Sequence, residues 1–315
     1  FFRFFDQRIA EAITLTGQLS IRWAEVALNE HLNKILKTDN EDYVIAIDTD
    51  SLYVNMDPLV VATNAQDPVE FLDKAALNLE DAIDKAYKDL FDRMGGTVNK
   101  MVMKREVIAD RGIWTAKKRY VLNVFDNEGV RYKTPKLKIM GIEAIKSSTP
   151  EPCRDALKQM FKIIVSQDEK AVQTAIDQFK EYFKTLPAHE IAFPRGVTDI
   201  RKWHQAGNKP YSKGTPIHVR GSLLYNKELN KNQLDKTYEL INNGDKIKYL
   251  YLKKNNPLGE NVIAFRDFLP KELKLDPYID FELQFEKAFI DAIEPILKAV
   301  GWTSEQQMTL DMFFN

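Results

Sequence analysis

Apolar residues recur at helical spacing through residues 6–37, where Ile9, Ile13, Leu19, Trp23, Val26, Ala27 and Leu36 are interrupted only by Gly17. That spacing predicts one long amphipathic helix packed under a sheet. The period then changes. Residues 43–47 and 52–54 are short apolar runs of strand length joined at aspartates, and residues 67–94 return to a helical pattern closed by Gly95-Gly96. Strands are expected over 98–108, 113–125 and 130–140, the last two joined as a hairpin through Asn127-Glu128-Gly129. Past Ser147-Ser148-Thr149-Pro150, which marks a helix start, two helices run to residue 186 and a Gly/Pro/Lys-rich stretch runs to residue 221. In and beyond that stretch, PIHVRGSLLYN (216–226) and IKYLYLK (247–253) suggest strands, and 277–300 a long terminal helix ending at Gly301. No repeat or low-complexity tract interrupts the pattern. The fold class it predicts is α+β, an antiparallel sheet with packed helices over 1–140 followed by a mainly helical part over 141–315.

Composition narrows the class without naming a function. With 315 residues, 44% hydrophobic and 29% charged, the chain has enough apolar material for one large domain or two moderate ones. The single cysteine, Cys153, excludes an intramolecular disulfide and fits a reducing compartment. No apolar run is long enough for a membrane span or a secretory h-region, so no membrane association is expected. The chain opens FFRFFDQR, without methionine, which reads as a fragment whose missing part would cover those phenylalanines. Net charge is −1, yet residues 41–99 hold thirteen Asp/Glu against four Lys/Arg, and residues 100–150 twelve Lys/Arg against five Asp/Glu. A local basic segment matters more to a polyanion than the average over the chain.

The candidate chemistry starts at VIAIDTDSLYV (44–54), which places Asp48 and Asp50 at i and i+2 between branched apolar residues. Two carboxylates held close repel unless a cation lies between them or one takes a proton. A hard divalent ion is the simplest partner, because Mg2+ uses one or two carboxylates together with substrate phosphates. An Asx-rich turn that only satisfies its own backbone is the bland alternative. Three functional readings follow: a phosphatase of haloacid-dehalogenase type, for which Leu52 stands where Thr or Val is wanted; a non-catalytic duplex-DNA-binding module; and a polymerase palm.

IDTDSLYV resembles the second carboxylate motif of family B DNA polymerases, Y-G-D-T-D-S. WTAKKRYVLNVFDNEGVRYKTPKLKIMGIEAIKSSTP (114–150) resembles that family's K-K-R-Y segment and the start of its thumb. IHVRGSLLYN and DPYIDFELQFEKAFIDAIEPIL match in the same order, and the nearest likeness is to the replicative polymerases of T4-like bacteriophages. The resemblance implies a carboxy-terminal fragment: a partial polymerase palm over 1–140 and a thumb over 141–315. Asp50 and Asp48 then coordinate Mg2+ for nucleotidyl transfer, and Glu106 lies on a neighbouring palm strand as a further catalytic acid. The carboxylates sit in an apolar hairpin so that phosphates are gripped on a rigid, dry floor. Lys117, Lys118, Arg119 and Tyr120 follow the new duplex, joined in DNA binding by Lys136, Lys138, Lys146 and Arg220.

The tail QMTLDMFFN (307–315) places Gln307, Leu310, Phe313 and Phe314 at spacings that gather an apolar knob over two helical turns. It resembles the peptide by which replicative polymerases attach to a sliding clamp. Ala46-Ile47 stands where the family has Tyr-Gly. The first carboxylate motif, the fingers and the exonuclease domain have no counterpart. The implied partners are therefore primer–template duplex, the amino-terminal polymerase portion, deoxynucleoside triphosphates only with the missing fingers, and a sliding clamp. The implied setting is the cytoplasm of a bacterial host, and the fragment alone is expected to be inactive.

Overall fold

The computed structural model describes residues 6–207 and 209–305. It is an α+β protein. The chain divides into two units: one takes the residues up to Gly112 together with Leu122–Lys138, the other Ile113–Val121 and the residues from Ile139 onward.

The first unit is built on two long helices. Helix α1 (Gln7–Leu36) starts at Asp6, whose carboxylate accepts the Arg8 N–H at 2.9 Å, and ends at Lys37 in the left-handed conformation. Its buried residues are Ile21, Ala24, Leu28 and Leu32, one stripe at helical spacing. Ile9, Ile13, Leu19 and Val26 are exposed, so the face expected from the apolar pattern is not the one that packs. Strands β1 (Val44–Asp48) and β2 (Ser51–Val54) form an antiparallel hairpin, followed by the short helix α2 (Asp57–Thr63), which the pattern had not suggested. Helix α3 (Pro68–Arg93) begins as expected, with the Asp67 carboxylate accepting Glu70 N–H at 3.0 Å and proline in its first turn. Ala24 and Leu28 of α1, Ile83 and Tyr87 of α3, and Val44 of β1 form one core, with Leu52, Val54, Met101 and Met103 against it.

Strands β3 (Val107–Ala116), β4 (Arg119–Asn127) and β5 (Val130–Met140) make a three-stranded sheet in that order. The expected turn after β4 is present: Glu128 and Gly129 both have positive φ, 51° and 84°, as a two-residue hairpin of primed type requires. The preceding boundary differs from expectation. Residues 98–106 are not a strand, and the first reversal falls at Lys117-Lys118, which carries no glycine, asparagine or proline to announce it.

In the second unit, α4 (Glu151–Ser166) and α5 (Glu169–Thr185) follow the Pro150 start, although no side chain caps α4. Short α6 (Ala188–Ile191), β6 (Phe193–Gly196) and α7 (Ile200–Trp203) lead to α8 (Ile217–Lys231). Residues 217–226 are therefore helix, not strand, with Pro216 just before its first turn. The reason lies at Gly221, where α8 packs on β8: a Cβ there would sit 2.9 Å from Ala264 N and 3.1 Å from Ile263 C. Gly221, with no Cβ, admits a helix this close to a strand.

Strands β7 (Lys246–Tyr251) and β8 (Val262–Phe265) complete an antiparallel sheet ordered β6-β7-β8, so this half is less purely helical than the pattern implied. The terminal helix is interrupted: α9 (Phe281–Phe285) passes through a π-turn (Glu286–Ile290) into α10 (Asp291–Ala299), where Pro295 lacks the N–H for an intrahelical bond. Gln284 is fully buried, accepting Tyr251 N–H at 3.2 Å and donating to Ile191 C=O at 2.7 Å. Replacing Gly221 with valine forces α8 off β8, and thermal or urea unfolding should register a loss of about 1–3 kcal/mol.

Candidate nucleotidyl-transfer and duplex-binding residues

The pairing Asp48↔Ser51 leaves Thr49 and Asp50 as the whole turn of the first hairpin. Thr49 adopts φ 57°, and Asp50 N–H donates to the Asp48 carbonyl at 2.7 Å. The Ser51 hydroxyl donates to the same carbonyl and the Thr49 hydroxyl to Asp48 Oδ1, each at 3.1 Å. Asp48 is therefore half-buried and tied into the turn, while Asp50 is exposed at its tip. Two asparagines of α1 secure the start of β1. Asn29 Oδ1 accepts Tyr43 N–H at 2.8 Å, and its amide donates to Asp42 at 2.9 Å. Asn33 bonds both backbone groups of Glu41, at 2.8 and 3.0 Å.

Two carboxylates one residue apart are hard donors that fit part of a Mg2+ site, with the remaining ligands left to substrate phosphate and water. Among the described residues no third His, Cys, Asp or Glu joins them in a metal-sized group. The floor is not dry in this chain, since Ile45 is 54% and Ile47 39% exposed on the outward positions of β1.

Glu106 precedes β3 and pairs with Lys138 of β5, so two of the sequence-chosen residues occupy each other. Its backbone carbonyl accepts Glu128 N–H at 2.6 Å. Next to it, Arg105 bridges Asp126 and Asp73 through its two terminal nitrogens, while Glu80 of α3 accepts Arg105 N–H at 2.8 Å and Lys104 Nζ at 2.7 Å. Burial raises the Asp126 pKa, but its bonds from Arg105 and Gly129 hold it below the ordinary value. Lys136 is exposed, its ammonium 4.2 Å from the Tyr132 ring centre.

In the second unit, Lys117 and Lys118 are the exposed turn between β3 and β4. Tyr120 is buried against Trp114, ring centres 6.2 Å apart. Arg119 makes a two-pronged bond to Glu143 at 3.0 and 2.7 Å, and Lys146 reaches the same carboxylate at 2.8 Å. Burial alone would raise the Glu143 pKa, yet those cations bring it down to about 2. Arg220, on α8, donates to Asn261 at 2.6 Å and lies 5.7 Å from the Tyr211 ring centre. Gln307, Leu310, Phe313 and Phe314 lie outside the described residues.

No family model matches the chain. Its sequence is 34% identical to the DNA-directed DNA polymerase of Enterobacteria phage T4 and 35% identical to that of Escherichia phage RB69, each over 99% of this chain. Over almost its whole length the chain is similar to these two phage DNA-directed DNA polymerases. It spans 36% of the length of those two relatives. A DNA polymerase of Thermococcus sp. (strain 9oN-7) is 22% identical over 96% of the chain and 32% of its own length.

Sequence reasoning singled out the turn residues and passed over their supports. Asn29 and Asn33 carried a signal, because asparagine is a poor helix former and two of them stand one turn apart in the closing turns of α1. Glu143 carried one too, as a lone acid in a basic run. Arg105 and Asp126 carried none, since only folding brings them together. Because the Glu143 carboxyl is depressed in the folded state, its contribution to stability is complete above its unfolded value of about 4.3 and disappears as pH falls toward about 2. Melting wild type and Glu143→Gln across that range should show wild type more stable at pH 7 and the gap closing with acidity.

Proposed function

We propose that the chain is the carboxy-terminal part of a replicative DNA-directed DNA polymerase, with a palm portion over 1–140 and a thumb over 141–315. What carries the reading is the anchored Asp48–Asp50 turn, in a chain 34–35% identical over 99% of its length to two phage polymerases. Asp50 and Asp48 are the residues that would hold Mg2+, with Glu106 as a third acid contributed from beside β3. When bound, such ions lower the pKa of the attacking hydroxyl and offset the charge of the reacting phosphates. The Thr49 and Ser51 hydroxyls and the Asp50 N–H hold Asp48 in one conformation, so little ordering is left to be done when substrate arrives.

Lys117, Lys118, Arg119, Tyr120, Lys136, Lys138, Lys146 and Arg220 are the duplex-binding set. Contacts of the exposed members of this set, such as Lys117, Lys118 and Lys136, with phosphates and minor-groove acceptors give affinity with little sequence preference, and the paired or buried members position them. The amino-terminal portion would supply the first carboxylate motif and the fingers that select deoxynucleoside triphosphates, and the fragment alone is inactive. No described helix is long and apolar enough to cross a membrane; the setting proposed is a bacterial host's cytoplasm.

A second reading, a non-catalytic duplex-binding module, draws on the lack of a third ligand beside Asp48 and Asp50 among the described residues. Primer extension separates the two. The fragment alone should give no product. A separately produced amino-terminal portion should restore synthesis with the wild-type fragment and not with Asp50→Ala. Robust extension by the fragment alone, or restoration that survives Asp50→Ala, would refute the assignment of Asp50. A phosphatase would instead hydrolyse small phosphate esters unaided.

The tail 307–315 is proposed as a sliding-clamp peptide of roughly micromolar affinity, suited to release and re-formation. Titration of the cognate clamp should give binding to the intact chain and none to Phe313→Ala/Phe314→Ala or to a chain ending at Thr303. Equal binding by all three would sink the idea.

A further inference from the structure

The turn between β3 and β4 has an unfavourable backbone. Lys118 sits at φ 60°, a left-handed conformation that costs a lysine about 1 kcal/mol or more. The support comes from residues 141–146. Gly141, at φ 65°, passes so close to the Lys118 carbonyl that a Cβ would overlap it, and the same Cβ would stand 3.2 Å from Arg119 Cγ. Ile142 and Ala144 are completely buried and fix this segment in the core of the second unit. Between them, Glu143 grips both terminal nitrogens of Arg119 and the ammonium of Lys146.

The charges make this arrangement informative. Four cations crowd here, and a site selected only for positive charge would leave all four available to a polyanion. A carboxylate among them instead neutralises Arg119 and Lys146, leaving the exposed Lys117 and Lys118 at the tip. The carboxylate gives up local positive potential, and what it gains is geometry: a planar, two-pronged Arg–carboxylate bond sets direction as well as distance.

We infer that Glu143 is a positioning residue for the duplex grip, fixing the Lys117-Lys118 turn by tying Arg119 and Lys146 together behind it. This rests on the duplex-binding role proposed above. A purely electrostatic role predicts the opposite outcome, since removing Glu143 would free two cations, tighten binding and steepen its salt dependence by about 0.9 for each phosphate gained.

The experiment measures binding of a fluorescent primer–template duplex by the full chain over a series of salt concentrations. The proteins are wild type, Glu143→Gln, Glu143→Asp, Arg119→Lys, Lys117→Ala/Lys118→Ala, and the last combined with Glu143→Gln, each checked for folding by circular dichroism. Glu143→Gln should weaken binding roughly tenfold and Glu143→Asp should recover part of the loss. Arg119→Lys, which keeps every charge but loses the two-pronged bond, should weaken binding as well, and it serves should Glu143→Gln fail to fold. The combined variant should bind no worse than the lysine pair alone, because Glu143 acts through those lysines. Equal or tighter binding by Glu143→Gln and Arg119→Lys, or losses that add in full, would overturn the inference and leave duplex binding standing. Failure of wild type to bind duplex removes the underlying reading and this one with it.

Discussion

Two strands of four or five residues cannot hold a pair of carboxylates in place alone, because an isolated hairpin is marginal in water. The packing of α1 against α3 is therefore the constraint on which the aspartate site depends. Ala24, Leu28, Ile83 and Tyr87 form the platform, Val44 roots the hairpin in it, and Asn29 and Asn33 fix the strand's start with hydrogen bonds that leave no slack in register. A one-residue slip would move Val44 out of the core. The pairing shifts by one between Val44 and Ala46, so this end anchors the hairpin while the pairs Ala46↔Tyr53 to Asp48↔Ser51 run in a register of their own up to the Thr49-Asp50 turn.

The same unit shows where apolar surface remains uncovered. Ile9, Ile13 and Val26 on α1 and Ile45 on β1 are each more than half exposed. These residues stand singly along their elements, away from the core formed with α3.

Electrostatics in both units follows one rule: acids are placed inside the basic segment as struts. Asp126 receives Arg105, Glu106 receives Lys138, and Glu143 receives Arg119 and Lys146. Asp126 is almost wholly buried, so removing Arg105 would leave its charge to Arg131 at 3.6 Å and the Gly129 N–H alone, whereas the half-exposed Glu106 pair contributes little to stability. Net charge near zero conceals this arrangement, because each strut cancels a cation locally and leaves its neighbours exposed.

The sequence alone determined the helices α1, α3, α4 and α5, the aspartate hairpin, the Glu128-Gly129 turn and the family resemblance, since each is written in local spacing, caps, turn residues or ordered motifs. It could not determine what depends on contacts between distant residues. The face of α1 that packs was misread because its most apolar positions are not the ones α3 covers. The 216–226 segment was misread because Gly221 serves a close approach to Ala264, far along the chain. The Lys117-Lys118 reversal was missed because its left-handed residue is a lysine held from outside by Gly141 and Glu143. Local propensity governs an element when its own residues supply most of its stabilisation. Where a neighbouring segment supplies the bond, the burial or the brace, only the tertiary structure decides, and the supports of the candidate site are of that second kind.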